Sequence, residues 1–111
     1  MLVVDDHQSF RRFASKLLIA AGYDVVGEAD GVEAAVEAAH RLHPTLVLLD
    51  VMLPDGDGLQ AADRLADLAG TRVLLTSSRS RADFGAALDD RWFLAKSELT
   101  IARLAEAASD G

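Results

Sequence analysis

The chain contains no cysteine, which excludes a disulfide framework and any thiolate metal centre. It has two prolines and no Gly/Ser-rich or low-complexity tract, so nothing in it reads as a linker. No apolar run approaches the roughly 18 residues that a membrane-spanning helix needs. Cations are scarce: 11 Lys and Arg stand against 18 Asp and Glu, for a net charge of −7. Non-specific binding to nucleic acid rests on cations that neutralise phosphates, so direct nucleic-acid binding is not expected. Aromatics make up 5% of the residues and form no aromatic-basic stripe. No basic-then-apolar leader follows Met1, so no secretory signal is expected and a cytoplasmic location is the simplest reading. Half of the 111 residues are apolar, enough for one domain over residues 1–111 with one core.

The stretch that organises the rest runs from Leu46 through Gly58. It opens with Leu46-Val47-Leu48-Leu49, a short aliphatic run that reads as a strand buried on both faces. Asp50 then falls where the chain leaves the sheet, and Pro54, Gly56 and Gly58 impose a shape on the loop that follows. A lone carboxylate in such surroundings costs several kcal/mol, so other groups must share its site.

In chain order, Leu2-Val3-Val4 reads as a strand ending in Asp5-Asp6. Phe10, Phe13, Ala14, Leu17, Leu18 and Ala21 then fall at helical spacing, with Arg11, Arg12 and Lys16 on the other face and Gly22 as the stop. A second strand is predicted over Asp24–Ala29, and a second helix on Val32, Ala35, Val36 and Ala39 that closes on the approach to Pro44. After the Leu46–Asp50 strand, Leu59, Ala62, Leu65 and Ala66 mark a third helix, stopped at Gly70. Arg72–Thr76 is a fourth strand leading into Ser77-Ser78, Arg81–Leu88 a short and weakly amphipathic helix, and Trp92–Ala95 a fifth strand leading into Lys96. Ser97 is placed to cap a last helix with Leu99, Ala102, Leu104, Ala105 and Ala108 on its apolar face.

Strand and helix thus alternate five times, which argues an α/β fold with a parallel sheet covered on both faces. Ligands of such sheets bind at the C-terminal edge. Asp5, Asp6, Asp50, Ser77 and Lys96 all follow directly on strands, and so converge on that edge. Three carboxylates brought together repel unless protons or a cation intervene. With oxygen donors alone, a hard divalent ion such as Mg²⁺ suits them. Lys96 adds a compact positive charge and Ser77 a hydroxyl donor. Together these parts suit a phosphoryl group, with a carboxylate able to act as the nucleophile.

Val3-Val4-Asp5-Asp6-His7, the Leu48–Gly58 segment, Leu75-Thr76-Ser77-Ser78 and Phe93-Leu94-Ala95-Lys96, in that order over the whole chain, resemble the receiver domain of bacterial two-component response regulators. The Asp-Asp-His opening is most similar to receivers paired with a helix-turn-helix DNA-binding domain. The resemblance implies a flavodoxin-like (βα)5 three-layer sandwich with strand order 2-1-3-4-5. It further implies Asp50 as phosphoacceptor and Mg²⁺ held by Asp6, Asp50, Asp5 and the backbone carbonyl of Met52. Lys96 is to pair with the phosphoryl group, while Ser77 and Phe93 form the switch that alters the face made by the fourth helix, fifth strand and fifth helix. A sensor histidine kinase or phosphotransfer protein is the implied partner, with a homodimer through that same face and a C-terminal DNA-binding domain outside this chain. The segment between Ser77 and Lys96 is shorter than is usual in the family, and Asp89-Asp90-Arg91 replaces an Ala/Gly-rich turn, so an abbreviated or irregular fourth helix is expected.

Blander and competing readings stand beside these. Asp5 and Asp6 alone would be helix caps, Ser77 a turn residue and Lys96 a solvated cation. His7 reads as a loop residue, His40 and His43 as surface positions near a helix end, and Asp55 and Asp57 as loop and cap formers. A degenerate receiver that docks partners constitutively is one alternative function. A small aspartyl-phosphate phosphatase of the haloacid-dehalogenase type is another, but it needs an Asp where Met52 stands. The leading expectation is a switch that catalyses only its own phosphorylation and dephosphorylation.

Overall fold

The computed structural model describes residues 1–68, 70–88 and 91–109. Five parallel strands form one sheet: β1 (Leu2–Val4), β2 (Gly27–Ala29), β3 (Leu46–Asp50), β4 (Arg72–Ser77) and β5 (Phe93–Ala95). Their order across the sheet is β2-β1-β3-β4-β5, the 2-1-3-4-5 arrangement expected. Five helices connect or follow them: α1 (Gln8–Ala20), α2 (Val32–Leu42), α3 (Gly58–Ala66), α4 (Arg81–Phe84) and α5 (Ile101–Ser109). A two-residue hairpin, Met52–Leu53 against Gly56–Asp57, lies between β3 and α3. No helix among the described residues is long and apolar enough to cross a membrane.

Alternation along the strands builds two cores. Val47 and Leu49 of β3 pack with Leu2 and Val4 of β1, Leu75 of β4, and Ala35, Ala39, Ala61 and Leu65 of α2 and α3. Leu46 and Leu48 point the other way, into Ala14 and Leu18 of α1, Leu74 of β4 and Leu104 of α5. All five residues of β3 are buried, as a central strand covered on both faces requires. The hydroxyl of Tyr23 donates to the Leu104 carbonyl at 3.0 Å, tying the end of α1 to α5.

Several local expectations are revised. The second strand is confined to Gly27–Ala29; Asp24–Val26 instead contacts Met1, the Asp24 carbonyl accepting from its amino group at 2.6 Å and the Val26 amide donating to its carbonyl at 2.9 Å. Phe13 is half exposed, so the apolar stripe of α1 is narrower than its spacing suggested. Arg11, assigned to the polar face, keeps only 16% of its side chain exposed. The fourth helix is a single turn: Gly85 takes φ +55° and the chain continues as a 3₁₀ turn over Gly85–Ala87. Asp89 and Asp90 lie outside the described residues. Ser97 does not cap the last helix, because Lys96–Glu98 forms its own 3₁₀ turn. Thr100 takes that place, its Oγ1 accepting from the Arg103 amide at 3.1 Å. Asp57 caps α3 through the Leu59 amide at 2.8 Å. Asp55 reaches across to the start of α2, accepting from the Val32 amide at 2.7 Å.

Candidate functional site

Sheet register determines which residues meet. Val4 pairs with Leu49, so the next residues along these parallel strands, Asp5 and Asp50, emerge side by side between β1 and β3. This is where the strand order reverses, since the chain passes from β1 outward to β2 and then back to β3. Asp50 pairs with Thr76 and Ser77 with Ala95, which brings the ends of β4 and β5 to the same edge.

Lys96 closes the site. Its Nζ lies 2.7 Å from Asp5 Oδ2 and 3.0 Å from Asp50 Oδ2, one ammonium bridging two carboxylates. The same nitrogen sits 4.0 Å from the centre of the Phe10 ring, a cation–π seat provided by α1. Asp5 is fully buried and Asp50 is 5% exposed. The other oxygen of each carboxylate is also engaged: Asp5 Oδ1 accepts from the His7 amide and Asp50 Oδ1 from the Met52 amide, both at 2.8 Å.

The two buried carboxylates diverge electrostatically. Burial, and then the neighbouring Asp5, push Asp50 up to about 6, against the pull of the Met52 amide and Lys96. Burial also works to raise Asp5, but its hydrogen bonds with Asp50, Lys96 and the His7 amide outweigh that and hold it below the ordinary carboxylate value. Burial disfavours the Lys96 ammonium, yet its hydrogen bonds to Asp5 and Asp50 outweigh this and keep it above its ordinary value. The pair therefore carries one firm negative charge and one that protons contest near neutrality.

Asp6 is exposed beside this core. One donor atom each from Asp5, Asp6 and His7 lies within 4.8 Å of the others, a group able to hold a cation. His7 Nδ1 is 3.1 Å from Asp6 Oδ1 and 3.3 Å from Asp5 Oδ1, so the residue read as plain loop stands against both acids. Ser77 is buried, and its Oγ accepts from the Arg79 amide at 3.1 Å. Phe93 is buried too, edge-on to Phe84 at 5.8 Å between centroids, with the Arg81 guanidinium 5.6 Å from its own ring centre. Trp92, one residue earlier, is half-buried under the Arg72 guanidinium at 4.6 Å. His40 and His43 are exposed, His43 ending α2 in the left-handed conformation. Sequence reasoning missed the seat that Phe10 gives Lys96. Helical spacing put Phe10 on an apolar face, and nothing in that pattern marks a ring beneath a cation.

A parallel sheet in this order carries acids at its reversal point and a lysine, just past the edge strand, that bridges them. The chain belongs to the response regulator receiver domain family, which matches residues 1–107. Receiver domains are the phosphorylation-dependent switches of two-component signalling, and this chain is one of them. It is 36% identical over 91 residues to the nitrate/nitrite response regulator protein NarL of Escherichia coli strain K12, covering 79% of this chain and 42% of that protein. It is 40% identical over 87 residues to a protein-glutamate methylesterase/protein-glutamine glutaminase of Natronomonas pharaonis, covering 78% of this chain and 24% of that protein. Among solved structures it is similar to the signal receiver domain of NarL from Mycobacterium tuberculosis, with 37% identity, a TM-score of 0.80, and 98% of this chain and 91% of that one covered. The chain spans less than half the length of the curated relatives it matches.

Proposed function

We propose that Asp50 accepts a phosphoryl group from a histidine kinase, a phosphotransfer protein or a small phosphodonor. The observation that carries this reading is the Lys96 ammonium held between the Asp5 and Asp50 carboxylates at 2.7 and 3.0 Å. Such a bridge keeps a nucleophilic carboxylate in place and supplies a cation for the incoming phosphoryl oxygens.

Mg²⁺ is the cofactor of this proposal, and the donor set suits it: carboxylates converge at one edge, and a hard cation of this kind takes one or two carboxylates plus phosphate oxygens. Asp6, Asp5 and Asp50 would hold it with the Met52 carbonyl, and when bound it neutralises charge on the transferring phosphoryl group. Asp50 must be ionised to attack, which its position near 6 allows at neutral pH. One of its oxygens forms a bond to phosphorus as the donor's P–N or P–O bond breaks, and the bonding electrons leave with the donor. The Met52 amide fixes Oδ1, which orients the carboxylate. Lys96 then shifts its bond from Asp50 Oδ2 to a phosphoryl oxygen while keeping Asp5. Ser77 exchanges the Arg79 amide for the phosphoryl group, and Phe93 responds on the neighbouring strand. The change is a local charge event read on the face of α4, β5 and α5. Homodimerisation through that face, and control of a C-terminal DNA-binding domain that reads promoters, are further parts of the proposal. So is the absence of turnover on any external substrate.

The test is phosphoryl incorporation from acetyl phosphate with Mg²⁺, compared with Asp50→Asn. Incorporation in the wild type alone supports the assignment, and equal labelling of the variant removes it. One observation favours a second reading, constitutive docking: the Phe93 ring is buried and packed edge-on to Phe84. Partner binding that is identical with and without beryllofluoride would select it.

A further inference from the structure

We infer that Arg11 is a positioning residue for the metal-binding acids, acting through the peptide that joins Asp5 to Asp6. This inference rests on the reading of Asp5 and Asp6 as Mg²⁺ ligands. At the end of β1 the Asp5 amide still pairs with the Ala29 carbonyl of β2 at 3.1 Å. The Asp5 carbonyl instead accepts from Arg11 Nη1 at 2.7 Å. The same guanidinium donates through Nε to Glu28 Oε1 at 2.9 Å, which anchors it to β2. A planar fork holds the two partners in a fixed mutual geometry, which an ammonium on a flexible four-carbon stem does not impose. The Arg11 amide in turn donates to the His7 carbonyl at 3.1 Å, one turn earlier in α1.

The result is a strap from β2 through Glu28 and Arg11 to the Asp5–Asp6 peptide. The orientation of that peptide sets the direction in which Asp6 leaves the chain, and with it the separation of the Asp5, Asp6 and His7 donor atoms. Outer groups that fix ligand orientation commonly change metal affinity by about tenfold or more when removed. Arg11 is neither a ligand nor a group that would touch phosphate, so its effect must appear as metal affinity and as order in the loop.

The experiment measures Mg²⁺ binding by titration calorimetry in the wild type, Arg11→Ala, Arg11→Lys and Asp6→Asn. Amide hydrogen exchange of the metal-free proteins is followed in parallel. Arg11→Ala should weaken Mg²⁺ by about tenfold, and Arg11→Lys, which keeps the charge but not the fork, by a smaller factor in the same direction. Exchange should quicken at Asp6 and His7 while the strand amides of β3 and β4 keep their protection. Wild-type Mg²⁺ affinity in folded Arg11→Lys and Arg11→Ala overturns the inference, and so does exchange that quickens uniformly over every strand. Should Arg11→Ala fail to fold, Arg11→Lys decides. Asp6→Asn separates the two levels: Mg²⁺ binding unchanged there overturns the ligand reading itself. Mg²⁺ binding lost in Asp6→Asn but untouched at Arg11 overturns only the strap.

Discussion

Replacing Asp50 with Asn should make the metal-free protein more stable at neutral pH, although it removes the residue on which the proposed chemistry depends. Asp50 is 5% exposed and shares its one cation with Asp5. Burial and that neighbour lift its titration from 3.8 to about 6. At 1.36 kcal/mol per pH unit, ionised Asp50 costs the folded state about 3 kcal/mol relative to an ordinary carboxylate. Asn leaves Lys96 with Asp5 alone and retains an oxygen for the Met52 amide, so a net gain of about 1–3 kcal/mol is expected. The sign follows from proton binding. Between the unfolded value and about 6 the folded state binds the extra proton, so this group's contribution falls as pH rises through that window and is level above it. Asp5, held below its ordinary value, acts in the opposite sense, and its contribution is lost as pH falls below about 4. The assay is urea unfolding of both proteins by circular dichroism from about pH 4 to pH 8 without Mg²⁺. The stability difference should be small at the acid end and full at neutrality. An Asn variant less stable at neutral pH, or a difference that does not vary with pH, would refute the account of this site as repulsion restrained by one lysine.

Three further outcomes follow from single contacts. A Cβ on Gly58 would lie 2.5 Å from the Asp50 and Val51 carbonyl oxygens, so Gly58→Ala should push the hairpin off the end of β3. It should cost about 3 kcal/mol in urea unfolding, and an unchanged midpoint would show that this approach is not tight. Thr76 Oγ1 is buried beside Asp50 in the sheet and has no hydrogen-bond partner among the described residues, so Thr76→Val should raise stability by about 1 kcal/mol; a loss would refute this. Thr100→Ala removes the cap of α5 and should cost about 1 kcal/mol in the same assay, whereas Ser97→Ala should cost nothing measurable.

Features set by short periods were legible in the sequence. The β3 run, buried at all five positions, and the punctuation after Asp50 needed only local rules. The alternation of five strands and helices was enough to bring Asp5, Asp50, Ser77 and Lys96 to one edge. What local rules could not see is contact between distant residues. Helical spacing placed Arg11 opposite the apolar stripe of α1, but that face looks across to Glu28 on β2, so a residue placed on the polar face is tied on two sides. Ser97 and Thr100 are both cap formers, and the choice fell to Thr100 because Lys96–Glu98 closes a 3₁₀ turn in which Glu98 accepts from the Ala95 amide at 2.9 Å. The single turn of α4 was anticipated as an irregularity, and its cause is Gly85 at φ +55°.

The arrangement around Lys96 also links the chemistry to its readout with very few parts. Two carboxylates depend on one ammonium, and the conflict can be relieved by a proton on Asp50 or by a divalent cation. Lys96 follows β5 directly, and Phe93 opens that strand, so any shift of the ammonium pulls on the strand that carries the buried ring. Phe10 beneath the ammonium means that α1 feels the same shift. On the proposed reading, phosphorylation of Asp50 adds charge beside Asp5, and the move of Lys96 toward the phosphoryl oxygens is what carries the signal. A variant stabilised by Asp50→Asn would then be fixed in one arrangement, more stable and deaf to the phosphodonor.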